Sequence, residues 1–412
     1  MSGGALQTLM RRRPSTPAAP PLLEPERPRA ELPRELLRYA HGRARWRPGG
    51  QVTVLRDGDQ AFPAKLAAIH AAKRSVCLEI YIFEHDHIGQ QFIDALCARA
   101  REGLQVRLLY DAVGSFGLPI IELERMREDG VQLVEFHPIA PWRRRFNLSR
   151  RDHRKILVVD DEIAFVGGLN LGKEYASIAQ GGVGWHDMHC SLRGPIVADL
   201  ARTFRRNWVT NGGADYPAPR RAEDQPPGDG PSWVRMIDNT LRKRRRAIRR
   251  AYVDVIHAAK AQVFIKNAYF LPGAEIRHAI ARALARGVDV AVIVPGTSDV
   301  RLVEWAGLYA HRQLAKAGAR ILRWPGVMMH AKTAVIDGVW STIGSYNLDS
   351  RSLRYNLEIT VEILDRDVGG ELARQFTADA QTCELFHEST WLAIPWWKRA
   401  LAWCAYRLRR WL

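Results

Sequence analysis

The chain has 412 residues, of which 47% are apolar, and a formal net charge of +17. The apolar fraction excludes a mostly disordered chain, and the length suits two domains better than one. The positive charge predicts a polyanionic partner, either nucleic acid or an anionic membrane surface. The five cysteines form no C-x-x-C pair, which argues against a disulfide framework or a zinc site and favours a reducing compartment.

Residues 1–38 are rich in proline and arginine and are predicted to form a disordered arm. Arg11, Arg12 and Arg13 are followed by no hydrophobic segment, which disfavours a secretory signal. No uninterrupted apolar stretch reaches the roughly 18 residues of a membrane span, so no transmembrane helix is predicted.

Strands and helices alternate along the next segment of the chain. Strands are predicted at 52–55, 76–83, 105–110 and 131–136, with a turn at Asp57-Gly58 and helices at 62–73, 90–102 and 120–128. This alternation indicates an α/β fold with a largely parallel or mixed sheet. The order then repeats, because the sequence IHAAK at residue 69 returns at residue 256, an offset of 256 − 69 = 187. We therefore predict two tandem halves related by a pseudo-twofold axis, with one shared active site at their seam.

One motif occurs once in each half. The first copy holds His153, Lys155, Asp160 and Asn170, and the second holds His330, Lys332, Asp337 and Asn347 at the same offsets. His-x-Lys on a strand would place both side chains on one face. Gly167-Gly168 and Gly344-Ser345 are expected to let the backbone pass close to a ligand. The alternative is two strand–turn units whose histidines and lysines are ordinary surface residues.

The repeated pattern H-x-K-x4-D-x6-G-[GS]-x-N resembles the phospholipase D superfamily. Within it, the chain is most similar to the bacterial cardiolipin synthases of the short type without N-terminal membrane spans, over residues 43–385. The resemblance implies two tandem phospholipase D-like α/β/α sandwich repeats and a metal-independent, cofactor-free reaction in two steps. Its catalytic motif comprises His153, Lys155, Asp160, His330, Lys332 and Asp337. Because Asp160 and Asp337 lie five residues beyond the lysines, we expect these two to act structurally.

The residue types fit phosphodiester chemistry. A neutral imidazole can attack phosphorus and form a phospho-histidine, and a second, protonated imidazole can donate to the leaving oxygen. Lys155 and Lys332 are expected to neutralise the non-bridging oxygens, and Asn170 and Asn347 to donate from their amides. The residues alone leave the nucleophile open, and the resemblance favours His153, with His330 as the acid. No carboxylate cluster suited to a metal is evident.

Each histidine is expected to have a carboxylate on its other ring nitrogen. Asp187 follows His153 by 187 − 153 = 34 residues, and Glu358 follows His330 by 358 − 330 = 28. The resemblance implies that carboxylates at such positions orient the histidines, and the alternative is a surface acid on a strand. His186 and His189 flank Asp187 and are expected to be bystanders.

The domain boundaries follow from composition and from the repeat. We predict a first repeat at 39–215, a linker at 216–231 and a second repeat at 232–386. The offset between equivalent positions of the two halves is 188 at Gly130 and Gly318 but 177 at His153 and His330. The first half therefore has about 188 − 177 = 11 extra residues between Gly130 and His153. They form an arginine-rich loop at 138–152, which is predicted to contact lipid headgroups or the membrane.

Residues 387–412 are basic and rich in tryptophan. Their apolar residues recur at helical spacing, namely Trp397, Leu401, Cys404, Leu408 and Trp411. Aromatic rings beside cations favour an anchor on an anionic membrane surface. The alternative is a tail helix packed on the protein.

The sequence and the resemblance together predict a cardiolipin synthase. One phosphatidylglycerol would give a phosphatidyl-histidine, and a second would displace it to yield cardiolipin and glycerol. The enzyme is predicted to act peripherally on the bacterial inner membrane, at the cytoplasmic face. The alternatives are a phospholipase D hydrolase, another transphosphatidylase or a nuclease, and the tryptophan-rich tail favours lipid over nucleic acid. The acceptor alcohol and the oligomeric state stay open.

Overall fold

A computed structural model of the chain describes residues 32–42, 45–140, 142, 145–147, 149–225, 228–240 and 245–409. The predicted disordered arm lies outside the described residues as far as residue 31. The same holds for Arg143 and Arg144 of the arginine-rich loop and for Trp411 of the tail.

The first half alternates strands and helices as predicted. Its elements are β1 (Arg47–Arg56), α1 (Asp57–His70), β2 (Ser75–Ile80), α2 (His87–Arg101), β3 (Gln105–Asp111), α3 (Ile120–Glu128), β4 (Gln132–Phe136), β5 (Ile156–Val159), β6 (Ile163–Gly167), β7 (Met188–Arg193) and α4 (Ile196–Thr210). The turn predicted at Asp57-Gly58 is wrong, because α1 begins there. Asp57 has a φ of 56°, which ends the strand abruptly, and its N–H donates to the carbonyl of Asp187 at 2.9 Å.

The second half repeats this order and adds a C-terminal extension. Its elements are β8 (Ser232–Asp238), α5 (Ala247–Ala258), β9 (Gln262–Asn267), α6 (Ala274–Ala285), β10 (Asp289–Pro295), α7 (Arg301–Lys316), β11 (Arg320–Trp324), β12 (Lys332–Ile336), β13 (Trp340–Gly344), α8 (Ser350–Arg354), β14 (Ile359–Leu364), α9 (Arg366–Thr382), β15 (Glu384–Leu385), α10 (Glu388–Ala393) and α11 (Trp396–Arg407).

The strand order shows the pseudo-twofold relation directly. The described strands run β15-β11-β10-β9-β12-β13-β14-β8-β1-β7-β6-β5-β2-β3-β4. Apart from β15, each strand of one half has its equivalent in the other at the same distance from the antiparallel pair β1 and β8. In each half, three neighbouring strands are parallel and the others antiparallel. The prediction of two tandem α/β repeats meeting at a seam is confirmed.

Three large hydrophobic cores among the described residues hold the layers together, and a fourth, smaller cluster lies between α7 and α11. One lies in the first half, around α1 and α2, and one lies in the second half, around α5 and α6. The third is shared, because α4 and α9 pack with strands of both halves. All residues of β5 and β12 are buried, as expected for strands covered on both faces. Among the described residues, no helix is both long and apolar enough to span a bilayer.

Candidate active site

Two short backbone bridges join the halves at the motif histidines. Asp152 pairs in parallel with Leu357, and Met329 pairs in the same way with His186. The N–H of His153 donates to the carbonyl of Leu357 at 2.9 Å. Each bridge therefore sets a histidine beside a carboxylate that belongs to the other half of the chain.

The side chains follow the backbone. Nδ1 of His153 lies 3.1 Å from Oε2 of Glu358, and Nδ1 of His330 lies 2.7 Å from Oδ2 of Asp187. Counting along the chain pairs each carboxylate with the histidine of its own half, and the structure exchanges the partners. The reason is that the segments entering β7 and β14 meet the opposite half at the seam. With Nδ1 occupied, Nε2 is the nitrogen left for chemistry.

The two carboxylates have different surroundings. Glu358 accepts hydrogen bonds from the hydroxyls of Ser345 and Ser352, the latter at 2.7 Å, in addition to His153. Asp187 accepts from the N–H of Met188 at 2.6 Å in addition to His330. Burial raises the pKa of Asp187 to about 6. The seam is thus geometrically symmetric, but its two acids differ chemically.

The lysines of the motif are buried beneath the histidines. Contrary to the expected placement on a strand, His153 and Lys155 precede β5, and Lys332 is the first residue of β12. Nζ of Lys155 donates to the carbonyl of His153 at 2.7 Å, and Nζ of Lys332 makes the equivalent bond to His330. Each ammonium group is therefore fixed by the backbone of the histidine that it accompanies.

Burial disfavours positive charge on the basic groups of the site. It lowers the pKa of Lys155 to about 7 and that of Lys332 to about 8, and the charge of Lys332 lowers the pKa of Lys155 further. Burial also lowers the pKa of His153, and it lowers that of His330 well below the usual range, assisted by both lysines. An anion bound here would favour the protonated form of all four groups. A phosphodiester carries such a charge.

The two motif asparagines differ in their contacts. The amide nitrogen of Asn170 donates to the hydroxyl of Tyr175 at 2.7 Å, and its oxygen accepts from the N–H of Ile82 at 3.2 Å. Asn347 is also buried, and its Oδ1 has no hydrogen-bond partner among the described residues. The structure thus engages Asn170 within the protein, although one N–H of its amide remains available to a ligand.

The glycines of the motif make room for neighbouring protein groups. A Cβ on Gly168 would lie 2.2 Å from Oδ1 of Asp187, and a Cβ on Gly344 would lie 2.4 Å from the carbonyl of Ile359. The expectation that these positions admit a ligand is therefore corrected: the close neighbours are a carboxylate and a strand. Ser345, which stands where the first half has Gly168, donates to Glu358.

The motif aspartates lie outside the site. Asp160 accepts from the backbone N–H groups of residues 73–75, and Asp337 accepts from those of residues 260–262. Each follows its strand, at the end opposite the histidine, and has a positive φ. Their inclusion among the catalytic residues is corrected accordingly, because they fix the entry to β2 and β9 and do not reach the reacting groups.

Aromatic side chains that sequence reasoning missed surround both histidines. The ring of Tyr81 lies 4.9 Å from that of His153. The rings of Tyr175, Trp185 and Tyr269 lie 5.5, 5.8 and 6.3 Å from that of His330. None belongs to the repeated motif, and only Trp185, two residues before Asp187, stands close to a predicted site residue in sequence. These rings form part of the wall of the site.

Buried charged groups support the segments that carry the histidines. Asp152 pairs with Arg154, which also contacts Glu79 at 2.7 Å. In the second half, Lys266 stands where Glu79 stands in the first and pairs with Asp379. His186 contacts Asp379 at 3.2 Å and Asp57 at 2.7 Å. His186, expected to be a bystander, is thus part of this support, and His189 is buried without a hydrogen-bond partner among the described residues.

The arginine-rich loop is partly internal. Arg151 is buried and donates to the carbonyls of His137 and Arg150 at 3.0 and 2.8 Å. Arg150 donates to the carbonyl of Thr240 at 3.0 Å. These two arginines therefore fasten the loop, and the idea that the whole loop serves lipid headgroups is corrected for them. Among the described residues, no group of three or more His, Cys, Asp or Glu side chains is arranged to hold a metal ion.

The comparisons with known proteins agree with this geometry. A family model described as "Cardiolipin synthase, PLD-like domain" matches residues 66–208 and 252–380. Cardiolipin synthase A of Pseudomonas fluorescens is 34% identical over 330 residues, which are 80% of this chain and 68% of that protein. Cardiolipin synthase of Geobacillus kaustophilus is 33% identical over 359 residues, 85% and 71% of the two chains. The crystal structure of phosphatidylserine synthase from Haemophilus influenzae covers 88% of this chain and 95% of its own at 15% identity, with a TM-score of 0.64 that indicates a shared fold.

Proposed function

Because the chain belongs to the cardiolipin synthase family of phospholipase D-like enzymes, we propose that it joins two phosphatidylglycerol molecules into cardiolipin and releases glycerol. It is a phosphatidyltransferase of the phospholipase D superfamily. The observation that carries the proposal is the pair of histidines held by exchanged carboxylates above two buried lysines.

In the first step, Nε2 of His153 attacks the phosphorus of one phosphatidylglycerol. The bond from phosphorus to the headgroup oxygen breaks, and protonated His330 donates its Nε2 proton to that oxygen as glycerol leaves. The lowered pKa of His153 favours the neutral imidazole that a nucleophile needs, but burial lowers the pKa of His330 further, so the family resemblance and not these shifts assigns the two roles. The negative charge of the bound phosphodiester favours the protonated form of His330. Lys155 and Lys332 stabilise the non-bridging oxygens.

In the second step, a headgroup hydroxyl of another phosphatidylglycerol attacks the phosphatidyl-histidine. Neutral His330 takes the proton of this hydroxyl, the bond between phosphorus and nitrogen breaks, and His153 is regenerated. Asp187 stabilises the charge that returns to His330, as the acid of a catalytic triad does. Asn347, whose Oδ1 has no partner within the described part of the chain, is available to accept from a hydroxyl of the incoming glycerol headgroup.

The C-terminal helix supports membrane association. Trp397, Leu401 and Leu408 of the predicted seam are 48%, 41% and 51% exposed. The opposite face of α11 packs on α7 through Ala402, Ala405 and Tyr406, whose ring lies 4.9 Å from that of Tyr309. The helix thus packs on the protein and still leaves its seam free. We assign this seam to peripheral contact with an anionic bilayer, at the cytoplasmic face of the inner membrane.

The proposal is tested with purified protein and phosphatidylglycerol vesicles. Cardiolipin and glycerol should form in equal amounts, and His153→Ala and His330→Ala should each remove the activity. A labelled phosphatidyl group should be trapped on His153 when the second step is slowed, and trapping on His330 would reverse the assigned roles.

The same assay separates the alternatives. Phosphatidic acid as the sole product would indicate a hydrolase that uses water as the acceptor. Cleavage of single-stranded DNA with inert lipid would indicate a nuclease. His257→Ala, on the exposed surface of α5, is the matched control and should retain full activity.

A further inference from the structure

Three segments form the mouth of the active site. In each half, the motif histidine lies at the carboxyl end of the parallel strands, because β5 and β12 run antiparallel to β2 and β9. The segments that follow β3 and β10, residues 112–121 and 296–305, each comprise a loop and the start of a helix, α3 or α7, and leave the sheet at the same end. Residues 173–185 complete the mouth between Tyr175 and Trp185, which both face His330. We call these three segments the rim.

The rim is fastened directly to groups that touch the histidines. In its first segment, the hydroxyl of Ser115 donates to the carbonyl of Tyr81 at 3.1 Å, and Tyr81 packs on His153. In the segment after β10, Asp299 accepts from the hydroxyl of Tyr269 at 2.7 Å, and Tyr269 packs on His330. Whatever covers the rim therefore lies immediately over the reaction centre.

Large apolar side chains stand exposed on all three segments. Phe116 and Ile178 are each 80% exposed and Ile120 is 71% exposed, and Ile121, Leu302 and Trp305 are also exposed. Scattered single apolar residues are normal on a protein surface, whereas a group around one cleft indicates an interaction site. The cations Lys173 and Arg301 stand among them, beside the acidic residues Glu174, Asp299 and Glu304. The rim therefore carries no net positive charge, and it is the apolar side chains that complement a lipid surface.

We infer that the rim is the surface by which the protein docks on the phospholipid bilayer that contains its substrate, so that the active site opens into the membrane itself. This inference rests on the proposed function. The apolar side chains enter the headgroup layer, and each lipid presents its phosphodiester to the histidines while its acyl chains stay in the bilayer. The α11 seam is then an additional contact and not the one that positions the site.

A fluorescent label at the rim tests this placement. In a Cys404→Ser background, which removes the exposed native thiol, Phe116→Cys carries an environment-sensitive fluorophore, and Leu37→Cys carries it as the control. Leu37 is exposed and lies two residues from Tyr39, whose hydroxyl donates to Asp337. Because Asp337 lies at the end of β12 opposite His330, Leu37 lies on the side of the protein opposite the rim. Vesicles of phosphatidylglycerol and phosphatidylcholine should shift the emission of the label at 116 to the blue and leave that at 37 unchanged. Sedimentation with the vesicles and no shift at 116 would overturn the inference.

A double variant gives the functional counterpart. Phe116→Ser/Ile178→Ser should weaken vesicle binding by at least about tenfold. Leu37→Ser/Leu385→Ser should bind as the wild type does, since Leu385 lies on the outermost strand, β15. On monomeric dihexanoyl phosphatidylglycerol, the rim variant should keep its kcat/KM within about twofold, which shows that the site is intact.

The outcomes separate the two proposals. Wild-type binding and turnover of vesicles by the rim variant would overturn the docking surface and leave the synthase reaction standing. A blue shift at position 116 without cardiolipin from the wild type would overturn the reaction and keep the docking surface. If the label at position 116 shows no shift with any of these vesicles and the protein does not sediment with them, the inference is overturned and the rim is left as a surface for a protein partner.

Discussion

Glu358 and His153 are 205 positions apart in the chain, yet the carboxylate of Glu358 lies 3.1 Å from Nδ1 of His153. The reciprocal contact between Asp187 and His330 is 2.7 Å long. Each half thus supplies the acid that orients the other half's histidine. Neither half contains a motif histidine together with the carboxylate that orients it, so the active site exists only when the seam has formed.

Removal of the Glu358 charge should slow the reaction without unfolding the protein. We expect Glu358→Gln to lower kcat by about 100-fold or more, because an amide does not stabilise the imidazolium and can favour the wrong tautomer. Initial rates on phosphatidylglycerol vesicles and thermal unfolding provide the measurement. Glu102→Gln, at the C-terminus of α2, is the control. An unchanged kcat in Glu358→Gln would remove this residue from the mechanism.

The buried ammonium group of Lys155 should lower the free energy of unfolding, although catalysis needs it. Its pKa of about 7 lies below the ordinary value, so the unfolded chain binds more protons between pH 7 and pH 10. Stability should therefore rise with pH across this window. We expect Lys155→Met to abolish transfer, to raise the free energy of unfolding at pH 7 by about 2 kcal/mol and to lose that pH dependence.

Urea unfolding at pH 7 and pH 9.5 measures this effect. Lys73→Met, which changes an exposed lysine, is the matched control and should leave both stability and rate unchanged. A lower stability of Lys155→Met at pH 7 would show that the ammonium group gains more from its neighbours than burial costs it.

The motif aspartates should matter for folding. Asp160→Ala leaves three backbone N–H groups without their acceptor, and Asp337→Ala does the same at the entry to β9. Each substitution should lower the free energy of unfolding by about 2–3 kcal/mol. The rate per folded molecule at low temperature should stay within about threefold of the wild type. Large rate losses at unchanged stability, as expected for His153→Ala, would contradict the structural role.

A methyl group at Gly168 should displace Asp187, the carboxylate that orients His330. Gly168→Ala would place its Cβ 2.2 Å from Oδ1 of Asp187 and push the carboxylate away from His330. We expect kcat to fall by about 100-fold, as for other misplaced catalytic groups. Gly273→Ala is the matched control, because a Cβ there meets nothing within 4 Å. Equal rates for the two variants would show that Asp187 can move aside without loss.

Much of the architecture could be predicted from the sequence. The repeat of IHAAK and of the His-x-Lys motif predicted two halves, and the helix predicted at 120–128 is α3 with the observed bounds. These features are local, since strand burial and helix ends depend on residues close in sequence. The start of α1 at Asp57, where a turn was predicted, escaped prediction, because the positive φ of this non-glycine residue accompanies a tertiary contact, the bond to Asp187.

The sequence by itself determined which residue types the site would contain: two imidazoles, two ammonium groups and two carboxylates. Only the tertiary structure decided which carboxylate serves which histidine, because that choice depends on backbone bridges between segments about 150 to 200 residues apart. It also decided which backbone groups Asp160 and Asp337 bind, that aromatic rings wall the site, and that the α11 seam stays exposed. Packing between distant segments carries no signal in local spacing.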